Sequence, residues 1–301
     1  MTLLVGRIPY LELSHGHKMY YETHGTPTKT PVVILHGGPG GGINKKHLTY
    51  FNRREWYVIL FDQRGCGRST PFGLESLSHN TTQLLVEDIE RLRTHLTLDA
   101  WFVYGASWGT TLGIVYAETH PTRVRGLYLR SICMITSHEL EWLYGGLAGQ
   151  VYPEEWQKFI AGLDPPYTYK NIINQYRTLL TNPDRTIRQD AAKQWTRWED
   201  DVSFLIPRVI KESIHKIESI AILKNHYFYH NAWLKPNQLV KNAYKLKDIP
   251  VTLLHGRYDM VCPVDATFQL SKVIPHATVT IVPDAGHGNI KQRYTRRKKA
   301  A

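Results

Sequence analysis

Apolar positions along the chain fall into two rhythms. From Lys18 to about Ser131, short apolar runs alternate with longer stretches in which apolar residues recur every three or four positions. The short runs Pro31–Leu35 (PVVIL), Trp56–Phe61 (WYVILF), Trp101–Tyr104 (WFVY) and Val124–Leu129 (VRGLYL) predict strands. Their unbroken apolar character suits parallel strands covered on both faces. Between them, Leu85, Ile89, Leu92 and Leu96 stand at helical spacing and predict a helix over Thr82–Leu96. A second helix is expected over Ser107–Thr119, stopped near Pro121. From about Ile135 to Tyr244 the strand rhythm ends. Trp, Tyr, Leu and Ile at helical intervals replace it, with turns at Asp164-Pro165-Pro166 and Asn182-Pro183-Asp184. Pro250–His255 (PVTLLH) and Thr278–Val282 (TVTIV) then restore strands. The pattern predicts an α/β fold, a doubly wound and mostly parallel sheet interrupted after its sixth strand by a helical insertion. The expected division is a core of residues 1–134 and 245–301, with a cap of residues 135–244. Such insertions lie over the strand carboxyl ends, where open α/β sheets place ligands.

Composition narrows the class. With 42% hydrophobic and 21% charged residues over 301 positions, the chain has the balance of a globular protein, not of a disordered one. Cys66, Cys133 and Cys262 are too scattered for a disulfide framework or a zinc site. Met1–Gly16 lacks a basic-then-apolar signal pattern, and no apolar run reaches the roughly 20 residues that span a bilayer. A cytoplasmic protein without a membrane partner is the expectation. Of the net charge of +11, six basic residues and no acid lie in residues 291–301. A basic tail without a nucleic-acid module is a solvated end, so no nucleic-acid partner is expected.

The chemistry sits in loops after strands. Gly105-Ala106-Ser107-Trp108-Gly109 follows a predicted strand and opens a predicted helix, the context of a nucleophile elbow. Its glycines allow close backbone packing, and the helix N-terminus favours developing negative charge on Ser107. The plain alternative is a serine capping a helix. A serine nucleophile needs a base held by an acid, and on this fold these follow in later strand-end loops. Asp259 lies just past the strand ending at His255, and His287 just past the strand ending at Val282. Asp265 and Asp284 compete with Asp259 for the acid's part but sit less naturally at a strand end. His36-Gly37-Gly38-Pro39-Gly40-Gly41-Gly42 would supply a backbone donor to a tetrahedral oxyanion, from Gly38, with Trp108 the second. It lacks the lysine and spacing of a phosphate loop. Asp62-Gln63-Arg64 is expected to brace loops, and Cys66 and Cys262 to be structural.

These motifs, with NTT at Asn80–Thr82, ELEW at Glu139–Trp142, WTRWE at Trp195–Glu199, NHYF at Asn225–Phe228, HGRYDMVCP at His255–Pro263 and PDAGH at Pro283–His287, resemble the proline iminopeptidases of the α/β-hydrolase superfamily. The resemblance spans about residues 5–290. It implies release of N-terminal proline from short peptides beneath a helical cap, without metal or organic cofactor. It also implies that Ser107 is nucleophile, His287 base and then acid, and Asp259 the orienting carboxylate. Glu199, Tyr227, Phe228 and the position of Lys224 are implied to form the substrate pocket.

The chain departs from that pattern twice. Lys224 stands where the family carries a glutamate that helps hold the substrate's amino group. An inward Lys224 would repel that group or pair with Glu199, whereas a solvent-facing one would leave recognition to Glu199 alone. The expectation is weakened but retained prolyl specificity. Gly288 follows His287 where the family has serine and a last helix, so an apolar sheet face is expected to be bare or covered by a partner. An esterase or amidase of altered specificity is the competing reading, and a catalytically silent binding protein on this scaffold a third. Ser107 at the elbow, where a carboxylate would be needed, speaks against a dehalogenase or epoxide hydrolase.

Overall fold

The computed structural model describes residues 10–206 and 212–288. The basic tail and the position of any last helix therefore lie outside the described residues. The strands are β1 (Tyr10–Glu12), β2 (Lys18–His24), β3 (Thr30–Leu35), β4 (Trp56–Phe61), β5 (Trp101–Ser107), β6 (Val124–Ile132), β7 (Val251–Gly256) and β8 (Thr278–Val282). Among the described residues they form one eight-stranded sheet in the order β1-β2-β4-β3-β5-β6-β7-β8. β1 and β2 join it antiparallel. β3 to β8 run parallel. The apolar runs mark all six parallel strands, but not β1 and β2. The latter reads KMYYETH, and its mixed polar character follows from an antiparallel position near the sheet edge.

Alternate residues of the central strands bury opposite faces. Val33, Leu35, Ile59, Phe61 and Val103 join the larger core, while Val32, Ile34, Val58, Leu60 and Tyr104 pack with Phe51 on the other face. Helix α1 (Thr82–His95) buries Leu85, Ile89 and Leu92 at the predicted spacing. Helix α2 (Trp108–Thr119) is buried on every side, because it runs between the sheet, α1 and the segment that leads into β7.

Between β6 and β7 the described chain is helical. It forms α3 (Ser137–Tyr144), α4 (Pro153–Ile160), α5 (Tyr169–Leu180), α6 (Arg185–Val202), α7 (Ile214–Tyr229) and the short α8 (Gln238–Lys241). Helix α9 (Asp265–Val273) follows β7. An aromatic core holds the helical layer together, with Phe159 stacked on Tyr176 at 5.0 Å and on Trp198 at 5.5 Å. The layer is fastened to the sheet through Asn80. Tyr227 Oη donates to Asn80 Oδ1 at 2.7 Å, and His226 Nε2 lies 3.2 Å from the Asn80 carbonyl. Trp142 Nε1 donates to the Met260 carbonyl at 2.8 Å. Among the described residues no helix is long and apolar enough to cross a membrane.

Candidate active site

Ser107 closes β5 with φ 55° and ψ −128°, backbone that costs a non-glycine residue about 1–3 kcal/mol. The surroundings impose it. A Cβ added at Gly105 would overlap the Gly109 carbonyl, and one at Gly109 would overlap the Leu35 carbonyl. The strand therefore turns into α2 with no slack, and the serine is left on the outside of the turn.

The loop after β3 lies against that turn. A Cβ on Gly37 would stand 3.3 Å from Ser107 Cβ, and Gly38 holds φ 124°, a conformation glycine accepts freely. Gln63 ties loop and elbow together. Its Nε2 donates to the His36 carbonyl at 3.0 Å, and its Oε1 accepts from Trp108 Nε1 at 2.9 Å. Burial lowers the His36 pKa, which favours the neutral ring whose Nε2 accepts the Gln63 backbone N–H at 3.1 Å. Arg64 grips Asp88 with two parallel bonds of 2.6 and 2.7 Å, and Asp62 accepts the Ile43 and Arg68 backbone N–H groups. The Asp62-Gln63-Arg64 segment is thus a brace.

Asp259, 3% exposed, accepts the Val261 and Cys262 backbone N–H groups through Oδ1 at 3.1 and 2.8 Å. His287 Nδ1 sits 2.8 Å from Asp259 Oδ2, with His255 Nε2 at 3.4 Å. Burial alone would raise this carboxyl, but the His287 and His255 rings and their hydrogen bonds outweigh it. Asp259 is held well below the usual carboxylate range. The pairing separates Asp259 from its competitors in the sequence, since Asp265 lies on α9 and faces His138 at 3.7 Å.

Ser107, His287, Gly38 and Trp108 line one cavity of 280 Å³ with Glu199, Lys224 and Phe228 from the helical layer. Burial pulls the Lys224 ammonium down to about 8. Lys224 Nζ donates to Glu199 Oε2, so Lys224 points inward and pairs. Tyr144 Oη and Trp195 Nε1 each donate to Glu199 Oε1 at 2.6 Å. Tyr227 is a correction to the pocket expected from the sequence. It is buried behind Trp108, ring against ring at 4.8 Å, and its hydroxyl is spent on Asn80. Tyr227 fastens the cap and does not line the cavity, whereas its neighbour Phe228 does. Sequence reasoning missed Tyr144, Asp200 and Cys133, all on the cavity wall. For Asp200 the signal was the Glu199-Asp200-Asp201 run at the end of a helix.

The parallel sheet, the strained serine turn and the helical layer over the strand ends define an α/β hydrolase, and the profile of the alpha/beta hydrolase fold matches residues 30–294. A probable proline iminopeptidase of Leptolyngbya boryana is 41% identical over 282 residues, covering 92% of this chain and 87% of that protein. The proline iminopeptidase of Xylella fastidiosa strain 9a5c is 42% identical, covering 90% and 88%. A solved proline iminopeptidase-related protein from Thermus thermophilus shares the fold at TM-score 0.61 and 20% identity, covering 93% of this chain and 90% of that one. The chain belongs to the proline iminopeptidase family of α/β hydrolases.

Proposed function

We propose that this chain is a serine exopeptidase that releases proline from the N-terminus of short peptides in the cytoplasm. The observation that carries the reading is the convergence of the strained Ser107 turn and His287, itself anchored on Asp259, upon one cavity roofed by the helical layer. Ser107 Oγ attacks the prolyl carbonyl carbon, and its proton passes to His287 Nε2. Asp259 steadies the resulting imidazolium through Nδ1–H. The Gly38 and Trp108 backbone N–H groups take the negative oxygen. As the intermediate collapses, the C–N bond breaks and His287 returns the proton to the leaving amine. Water, deprotonated by the same histidine, then releases proline from Ser107. No step requires a metal or organic cofactor.

This reading divides the chain into a core of residues 1–134 and 245–301 and a cap of residues 135–244. The cap side selects the substrate: Phe228 offers an apolar wall, and acidic groups meet the charged nitrogen. Lys224 on Glu199 favours a second reading, an esterase or amidase on the same machinery, because the pair removes the acid expected to hold an amine. Hydrolysis of prolyl, alanyl and acetyl-prolyl arylamides beside an aryl ester separates the two. The first reading expects free prolyl substrates to be cleaved far faster than acetyl-prolyl ones, since a blocked nitrogen leaves an acid unpaired. Equal rates would establish the second.

A further inference from the structure

The acids on the cavity wall are Glu139, Glu199 and Asp200. Two of the three are already spent. Glu139 accepts the Met134 N–H at 2.9 Å, and the Thr136 N–H and hydroxyl at 2.8 Å each, so it closes the first turn of α3. Glu199 takes Tyr144 and Trp195 on one oxygen and the Lys224 ammonium on the other. Asp200 differs from both. Among the described residues no hydrogen bond or ion pair reaches its carboxylate. Its neighbour Asp201 has a partner of its own in Arg197, at 2.7 Å.

Arg197, spent on Asp201, acts on Asp200 only through space, and a carboxylate drawn partly out of water with no cation paired to it is unstable as an ion. Burial accordingly raises the Asp200 carboxyl to about 6, with Asp201 adding to the rise. The missing partner is a cation, and the secondary ammonium of an N-terminal proline brings one charge and two N–H donors. We infer that Asp200, and not Glu199, receives the charged nitrogen of the substrate. The inference rests on the prolyl exopeptidase reading above. It also explains how the cavity can hold Lys224 and still bind a cation, because the lysine neutralises one acid and leaves the next one on the helix open.

The test uses pyrrolidinium, the bare cation of the proline ring, as an inhibitor of aryl acetate hydrolysis by the full-length protein. In wild type, pyrrolidinium should inhibit competitively. Asp200→Asn should raise its inhibition constant at least tenfold, Glu199→Gln less than threefold, and Asp200→Glu should recover most of the loss. The ratio of prolyl to ester kcat/KM should fall at least tenfold in Asp200→Asn, carried by KM, with a melting curve like that of wild type. A rise in the inhibition constant confined to Glu199→Gln would overturn the assignment, as would wild-type values in Asp200→Asn. If Asp200→Asn does not fold, Asp200→Ser gives the same two outcomes. Failure of the exopeptidase reading looks different: pyrrolidinium inhibition would depend on Asp200 while no prolyl arylamide is cleaved.

Discussion

On the sheet side of the cavity, Asp259, Gln63 and His36 spend their polar atoms on backbone groups and on each other. On the helical side, Glu199 is held by an ammonium from α7, and the carboxylate of Asp200 is held by no described residue. The first arrangement fixes positions to within a fraction of an ångström, as bond making demands. The second leaves charges to be exchanged with a ligand. Bond-making chemistry and choice of substrate are thus built on different physical terms within one cavity, and they should respond differently to substitution.

The largest break in that contrast comes from the sheet side. Ser107→Ala and His287→Ala should each lower kcat by roughly 10⁴-fold or more on prolyl and ester substrates alike, without loss of folding. The double variant should be little worse than either single one, because the two act as a unit. Turnover retained in pure Ser107→Ala protein, or strictly additive losses, would remove the serine mechanism.

Substitutions on the helical side should split the substrates. Two unit charges about 4 Å apart interact by roughly 4 kcal/mol at an effective dielectric of 20. Lys224→Glu should therefore raise the ratio of prolyl to ester kcat/KM by about tenfold or more. An equal change in both substrates, or none, would place Lys224 outside recognition.

A smaller effect is expected from acid. The Asp200 carboxyl, raised to about 6 by burial and by Asp201 and Glu212 against the pull of Arg197, is charged above that pH and neutral below it. KM for prolyl arylamides should rise severalfold between pH 7 and pH 5, and KM for a neutral ester should not follow. Parallel profiles for the two substrates would show that no carboxylate of the cap reads charge. Tyr227→Phe should do least to catalysis. Losing the bond to Asn80 should cost about 1 kcal/mol of stability, seen as a few degrees of melting temperature, with KM for prolyl substrates unchanged. A selective rise in KM would return Tyr227 to the pocket.

The sequence by itself determined the parallel strands, the run of helices between β6 and β7, and the strand ends at which Ser107, Asp259 and His287 stand. Each of these is encoded locally. A run such as Val32–Leu35 buries both faces of a strand, and a Cβ at Gly105 or Gly109 would overlap backbone where the chain closes around Ser107. Strand-end positions then carry Asp259 and His287 to the same edge of the sheet. The antiparallel β1 and β2 escaped notice because strands at and next to the sheet edge need no unbroken apolar run. Only the tertiary structure decided the helical side. Lys224 and Glu199 lie on different helices, and whether a long cationic side chain turns toward an acid or toward water depends on how α6 packs on α7. Tyr227 and Phe228 are adjacent in one helical turn, yet the first faces Asn80 and the second the cavity. Asp200 stands apart only because the packing of α6 on α7 spends Glu199 on Lys224. Local periodicity fixes which side of an element is buried; it does not specify which burial leaves a charge without a partner.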